Sequence, residues 1–123
     1  LSFQAGYGAS SIRERIYSAP VGGATAMAGI LLYTAAGDAD GTLGGLVGLG
    51  GVGNLERMIY GAIEDARWCA SDPICSESEG QGPDGLNLAA CHSCALLPET
   101  SCEFQNRLLD RNLVTIFFEE YLA

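Results

Sequence analysis

Apolar positions recur along the chain in two distinct rhythms, and each predicts a different element. Residues 26–34 (AMAGILLYT) are almost wholly apolar, the pattern of a strand buried on both faces. Residues 12–18 (IRERIYS) read as a second strand, and the link between them carries Pro20, Gly22 and Gly23. An antiparallel hairpin follows as the simplest arrangement. The rhythm then changes. Leu55, Met58, Ile59, Ala62, Ile63 and Ala66 are spaced 3, 1, 3, 1, 3, which lays one stripe along a helix capped by Asn54 and running to Trp68. Glu56, Arg57, Glu64, Asp65 and Arg67 fall on the opposite side.

Beyond this helix the pattern weakens. Residues 69–85 read as a polar loop with Pro73 and Pro83. A helix over 86–97 would stop before Pro98, whose ring disfavours helix in the preceding residue. Thr100 to Glu103 (TSCE) spells a capping box, predicting a helix that runs to Asn112. Leu113–Phe118 (LVTIFF) suits either a last strand or an extension of that helix, and residues 1–11 read as a frayed helix end and a loop. The expected class is α+β: a small antiparallel sheet or hairpin packed on helices, with a cluster of four cysteines joining a loop and two helices.

Gly48, Gly50 and Gly53 form G-x-G-x-x-G directly before a helix. A dinucleotide site needs that motif immediately after a strand, and an acid ending a second strand about 20 residues on. The preceding strand ends near Thr34, and Asp72 falls in a loop, so the run reads as a tight, close-packed turn.

Composition narrows the classes. The chain has 123 residues, 48% hydrophobic and 17% charged, which suits a single globular domain over 1–123. Fifteen acids face six basic residues, a formal net charge of −9, and all six are Arg. Without Lys there is no Walker A loop, no Schiff base and no lysine general base. The balance also disfavours electrostatic DNA binding by this domain alone. No apolar run reaches spanning length and no secretory signal precedes the five cysteines, so no membrane partner and a reducing, cytoplasmic compartment are expected. The chain starts at Leu1 and reads as a fragment of a larger protein.

The strongest chemistry lies in the back half. Cys91 and Cys94 are spaced to grip one ion from adjacent vertices. Cys102 would sit in the first turn of the next helix, where the N-terminus favours thiolate. Cys75 would approach from the acidic loop. The expected ligands of a structural Zn2+ are therefore Cys75, Cys91, Cys94 and Cys102, with Cys69 as the alternative to Cys75. Cys69 could equally be a small buried apolar residue. His92 lies between the chelating pair and is assigned a supporting or surface role. A redox pair of thioredoxin type would open a helix after a strand, which this one does not.

Three stretches carry a resemblance: residues 29–46 (GILLYTAAGDADGTLGGL), 66–75 (ARWCASDPIC) and 86–102 (LNLAACHSCALLPETSC). Together they resemble the MrfA-type zinc-binding (MZB) domain family, over roughly residues 12–112, and within it the branch found in the DISARM anti-phage defence system. The resemblance implies one zinc bound by shared cysteines, in a domain attached to superfamily 2 DNA helicases or to proteins that work beside them. It implies a strand, a Gly-Gly turn and a helix ahead of the cysteines, mapping to Ile30–Thr34, Gly44-Gly45 and Asn54–Trp68. Two departures bear on the fourth ligand: a longer loop between the early cysteines, and Ala-Cys-His-Ser-Cys where helicase members have Gly-Cys-Pro-x-Cys.

The expected function is a non-catalytic structural zinc-binding accessory domain of a helicase-associated DNA-processing protein in anti-phage defence. Its expected partner is a helicase domain or a helicase subunit, with DNA reached through the parent complex. No nucleophile–base pair is spaced for catalysis, so no enzymatic role is expected of this domain, although its parent could be a helicase. The alternative is a C-terminal DNA-contacting domain of a repair helicase, with Arg13/Arg15 and Arg107/Arg111 as small basic patches. Glu14 and Asp110 beside those pairs favour a solvated face instead. A hydrolytic zinc is disfavoured, because four thiolates leave no open position for water.

Overall fold

The computed structural model describes residues 12–19, 22–25, 27–34 and 45–122, the side chains of Thr100, Tyr121 and Leu122 excepted. Strand β1 (Ile12–Ser18) pairs antiparallel with β2 (Ala28–Thr34), Ile12 lying opposite Thr34 and Ser18 opposite Ala28. The expected hairpin is therefore present. Its second strand is not buried on both faces, however, and Ile30 is 69% exposed. With one partner strand, and no third strand among the described residues, the sheet offers β2 little cover.

Three α-helices follow among the described residues: α1 (Gly45–Leu49), α2 (Asn54–Ala66) and α3 (Arg111–Leu122). The apolar stripe of α2 is its less exposed side, and Ile63 is its buried centre. Gly53, not Asn54, caps this helix. Its φ of +84° is open to glycine at little cost, and its N–H donates to Glu56 Oε2 at 2.6 Å. The G-x-G-x-x-G run is thus spread over α1, its end and the next cap, its first glycine lying inside a helix. The expected Gly-Gly turn is only half described, Gly45 opening α1. Residues 1–11 fall outside the described residues.

The two helices predicted for the cysteine region are absent. Residues 86–97 form loops and turns, and 99–112 hold a single 3-10 turn, Glu99–Ser101, before α3 begins. Side chains that bond to backbone explain this. Asn87, fully buried, donates from Nδ2 to the Asn106 carbonyl (2.8 Å) and accepts the Leu109 N–H at Oδ1 (3.0 Å). Asn106 Oδ1 accepts the Leu97 N–H at 3.0 Å. Positive φ angles at Gln105, Asn106 and Leu108 interrupt any helix there. Glu103, read as part of a capping box, gives its carboxylate to Arg15 of β1 instead. The LVTIFF stretch resolves as helix, inside α3.

Among the described residues the buried apolar ones are few: Ile12, Ile63, Cys69, Cys75, Ala89 and Ala90. Four of them belong to or flank the cysteine cluster, so the tightest packing surrounds the thiols.

Candidate metal centre

Four thiols converge from two turns. Cys69 follows the end of α2, and Cys75 lies in a tightly wound segment in which its N–H donates to the Ser71 carbonyl at 3.0 Å. Cys91 and Cys94 share one turn, closed by the Cys94 N–H on the Cys91 carbonyl at 3.1 Å. A single turn brings residues i and i+3 together as well as a helix does, so the C-x-x-C chelate survives the loss of the predicted helix. Cys69 and Cys75 are buried, and Cys91 and Cys94 are half-buried.

The Sγ atoms of Cys69, Cys75, Cys91 and Cys94 all lie within 4.8 Å of one another. Three edges of the group measure 3.5 Å (Cys69–Cys91), 3.8 Å (Cys75–Cys94) and 3.8 Å (Cys91–Cys94). A disulfide would need about 2.05 Å, and all five cysteines are free thiols. A zinc tetrahedron with bonds of about 2.3 Å has edges of about 3.8 Å. The donor set therefore fits a closed four-thiolate zinc site.

Three of the four sulfurs also meet an N–H donor. The Ser71 N–H reaches Cys69 Sγ at 3.4 Å, Gln81 Nε2 reaches Cys75 Sγ at 3.6 Å, and the Cys91 N–H reaches Cys94 Sγ at 3.3 Å. Donors of this kind stabilise thiolate over thiol. Burial opposes ionisation of Cys91, but the Ser93 N–H and hydrogen bonds from Cys69, Cys75 and Cys94 outweigh it and hold its pKa down to about 6. Burial pushes Cys75 up, and pushes Cys94 up to about 12.

Of the ligands expected from sequence, the structure brings together Cys75, Cys91 and Cys94. It adds Cys69, foreseen as the alternative, and leaves Cys102 outside the group. Cys102 is flanked by residues bound to β1: Arg13 donates to Ser101 Oγ at 3.2 Å, and the Glu103 N–H donates to Glu14. His92 is exposed and outside the group as well.

Two contributors escaped the sequence reading. Asp72 Oδ2 accepts the Cys69 N–H at 2.9 Å and Oδ1 accepts the Ser76 N–H at 3.1 Å, which shapes the first cysteine turn. An Asp three residues after a Cys was the available signal, since Asp readily caps nearby backbone donors. Gln81 Nε2 also donates to the Cys75 carbonyl, at 3.2 Å. No local pattern marks it.

Residues 1–95 match the sequence model of the MrfA Zn-binding domain, MZB. The chain belongs to the MZB family. All four clustered cysteines of this MZB domain fall inside the matched stretch, and Cys102 falls beyond it. The chain is also 46% identical over 114 residues to the DISARM protein DrmB of Bacillus paralicheniformis. That match covers 93% of this chain and 19% of DrmB, so the chain spans under a fifth of the length of this curated relative. Among the described residues, no helix of the MZB domain is long and apolar enough to cross a membrane.

Proposed function

We propose that this MZB domain is a non-catalytic structural module that holds one Zn2+ on Cys69, Cys75, Cys91 and Cys94. The observation that carries the reading is the four-sulfur group at tetrahedral spacing, with an N–H donor on three of the sulfurs. With all four positions taken by thiolate, the ion has no vertex for water and serves architecture. It would pin the two turns of a region whose apolar core is otherwise small.

The likeness to DrmB supports placing the parent protein in anti-phage defence of the DISARM type. We read the domain there as an accessory part working beside a helicase domain or subunit, with DNA handled elsewhere in the complex. The arginines are in keeping with that division. Arg15 pairs with Glu103, Arg107 with Asp84 and Arg111 with Asp72, while Arg13 donates to Ser101, so none of the four stands as a bare cation for phosphate.

Metal analysis of the purified chain tests the reading. One zinc per chain is expected, lost together with thermal stability in the double variant Cys91→Ser, Cys94→Ser. Absence of zinc from the reduced chain, or unchanged melting in the double variant, would overturn it. Salt-sensitive binding of short duplex DNA by the chain alone would favour the DNA-contacting alternative.

A further inference from the structure

One buried cation sits beside the thiol cluster, and it belongs to α3. Arg111, the first residue of that helix, is only 6% exposed. The side chains of Arg15, Arg67 and Arg107 are 53%, 40% and 41% exposed. Burying a guanidinium is costly unless its surroundings supply acceptors and negative charge.

Its bonds reach three segments. Nη1 donates to the Ala66 carbonyl at 2.9 Å, where α2 ends and the chain turns toward Cys69. Nη2 donates to Asp72, which lies inside the first cysteine turn. Its backbone N–H donates to the Ala89 carbonyl at 3.1 Å, two residues before Cys91. Both turns that carry thiols are thus tied to the start of α3 through one residue. Nε remains buried without a hydrogen-bond partner. Burial weakens the hold of this guanidinium on its proton, but Asp72 and the sulfurs of Cys75 and Cys94 outweigh that effect.

We infer that Arg111 makes the metal centre and α3 one cooperative unit, supplying buried positive charge beside the turns that carry the thiols and the bonds that dock the helix. The inference rests on the zinc reading. A dication on four thiolates carries net negative charge in a half-buried site, and a fixed guanidinium lowers the cost of keeping it there. In return, the ordered turns present the Ala66, Asp72 and Ala89 acceptors that hold the first turn of α3. Arg111 lies beyond the residues matched to the family, so this coupling is read from this chain's own structure. Arg111 is a positioning residue, since no bond from it to the ion is needed.

The experiment pairs a chromophoric zinc chelator with hydrogen exchange on the full chain. In the wild type, zinc removal is expected to raise amide exchange through α3. Arg111→Met is expected to weaken zinc binding about 10- to 100-fold, the range for loss of an outer-shell partner, and to leave α3 exchanging fast even when loaded. Arg111→Lys keeps the charge without the planar fork and should fall between. Arg67→Met removes a different α3 tie, to Glu119, and should leave zinc affinity unchanged. Zinc affinity within twofold of wild type in Arg111→Met would overturn the coupling, as would α3 protection that ignores zinc removal in the wild type. If Arg111→Met does not fold, the wild-type exchange result and the Arg111→Lys affinity decide. A wild type that holds no zinc overturns the proposed function as well, which separates the two failures.

Discussion

Asp72 and Cys69 are bound through the backbone: the carboxylate accepts the Cys69 N–H at 2.9 Å. The same side chain takes the Ser76 N–H and the Arg111 guanidinium, so one acid organises the turn that carries two of the four clustered thiols. Asp72→Ala is expected to weaken zinc binding by on the order of tenfold, measured by chelator competition, because the turn loses its internal acceptor. Asp72→Asn keeps a neutral acceptor and should lose less.

That relationship also has a pH signature. Burial opposes ionisation of Asp72, but the Cys69 N–H, Arg111 and Ser76 hold its pKa below the usual carboxylate value of 3.8. A carboxyl depressed in the folded state stabilises the fold at any pH above its unfolded value. Its contribution fades as pH falls through the folded pKa. The stability difference between wild type and Asp72→Asn should therefore hold steady from pH 5 to 7, where metal release affects both, and shrink as pH falls below 3.8. Melting curves across that range check this.

The cysteines should sort into two classes. Cys69→Ser is expected to lower zinc content and to reduce the melting temperature by on the order of 10 °C, since the metal supplies folding free energy to a small core. Cys102→Ser should keep one zinc per chain. Elemental analysis alongside thermal denaturation gives both answers, and the reverse pattern would return the fourth position to Cys102.

Zinc affinity should rise with pH. Metal entry must expel protons from Cys75 and Cys94, both raised by burial, while Cys91, held down to about 6, is already ionised at neutral pH. Below about pH 6 Cys91 is protonated too, so one more proton must leave and the loss of affinity should steepen. Chelator competition from pH 5 to 8 would show that change of slope.

Asn87 is a structural test that does not involve the metal. Asn87→Ala strands the part-buried Leu109 N–H and the buried Asn106 carbonyl, with an expected cost of about 1–3 kcal/mol in chemical denaturation. Gly82→Ala should do comparable harm, because an added Cβ would clash with Asn87 Nδ2 in a backbone with φ of +71°.

Local pattern was enough for the front of the molecule. The β1–β2 hairpin and the stripe of α2 follow from periodicity, because neighbours in sequence are there neighbours in space. The Cys91–Cys94 chelate was legible for the same reason: any tight turn closes an i, i+3 pair. Tertiary structure decided the rest. Helical spacing over 86–97 and the capping box at Thr100 lost to Asn87 and Asn106, whose bonds join segments 9 to 22 residues apart. Cys69 joins the group and Cys102 does not, although Cys102 stands closer to Cys94 in sequence. The chain beyond Cys94 is drawn to β1 by Ser101 and Glu103, while Asp72 folds the stretch after α2 back toward Cys91. Residue types and spacing determined that this chain would gather thiols. Side-chain bonds reaching across the fold, Arg111 to Asp72 over 39 residues among them, selected which thiols meet and what surrounds them.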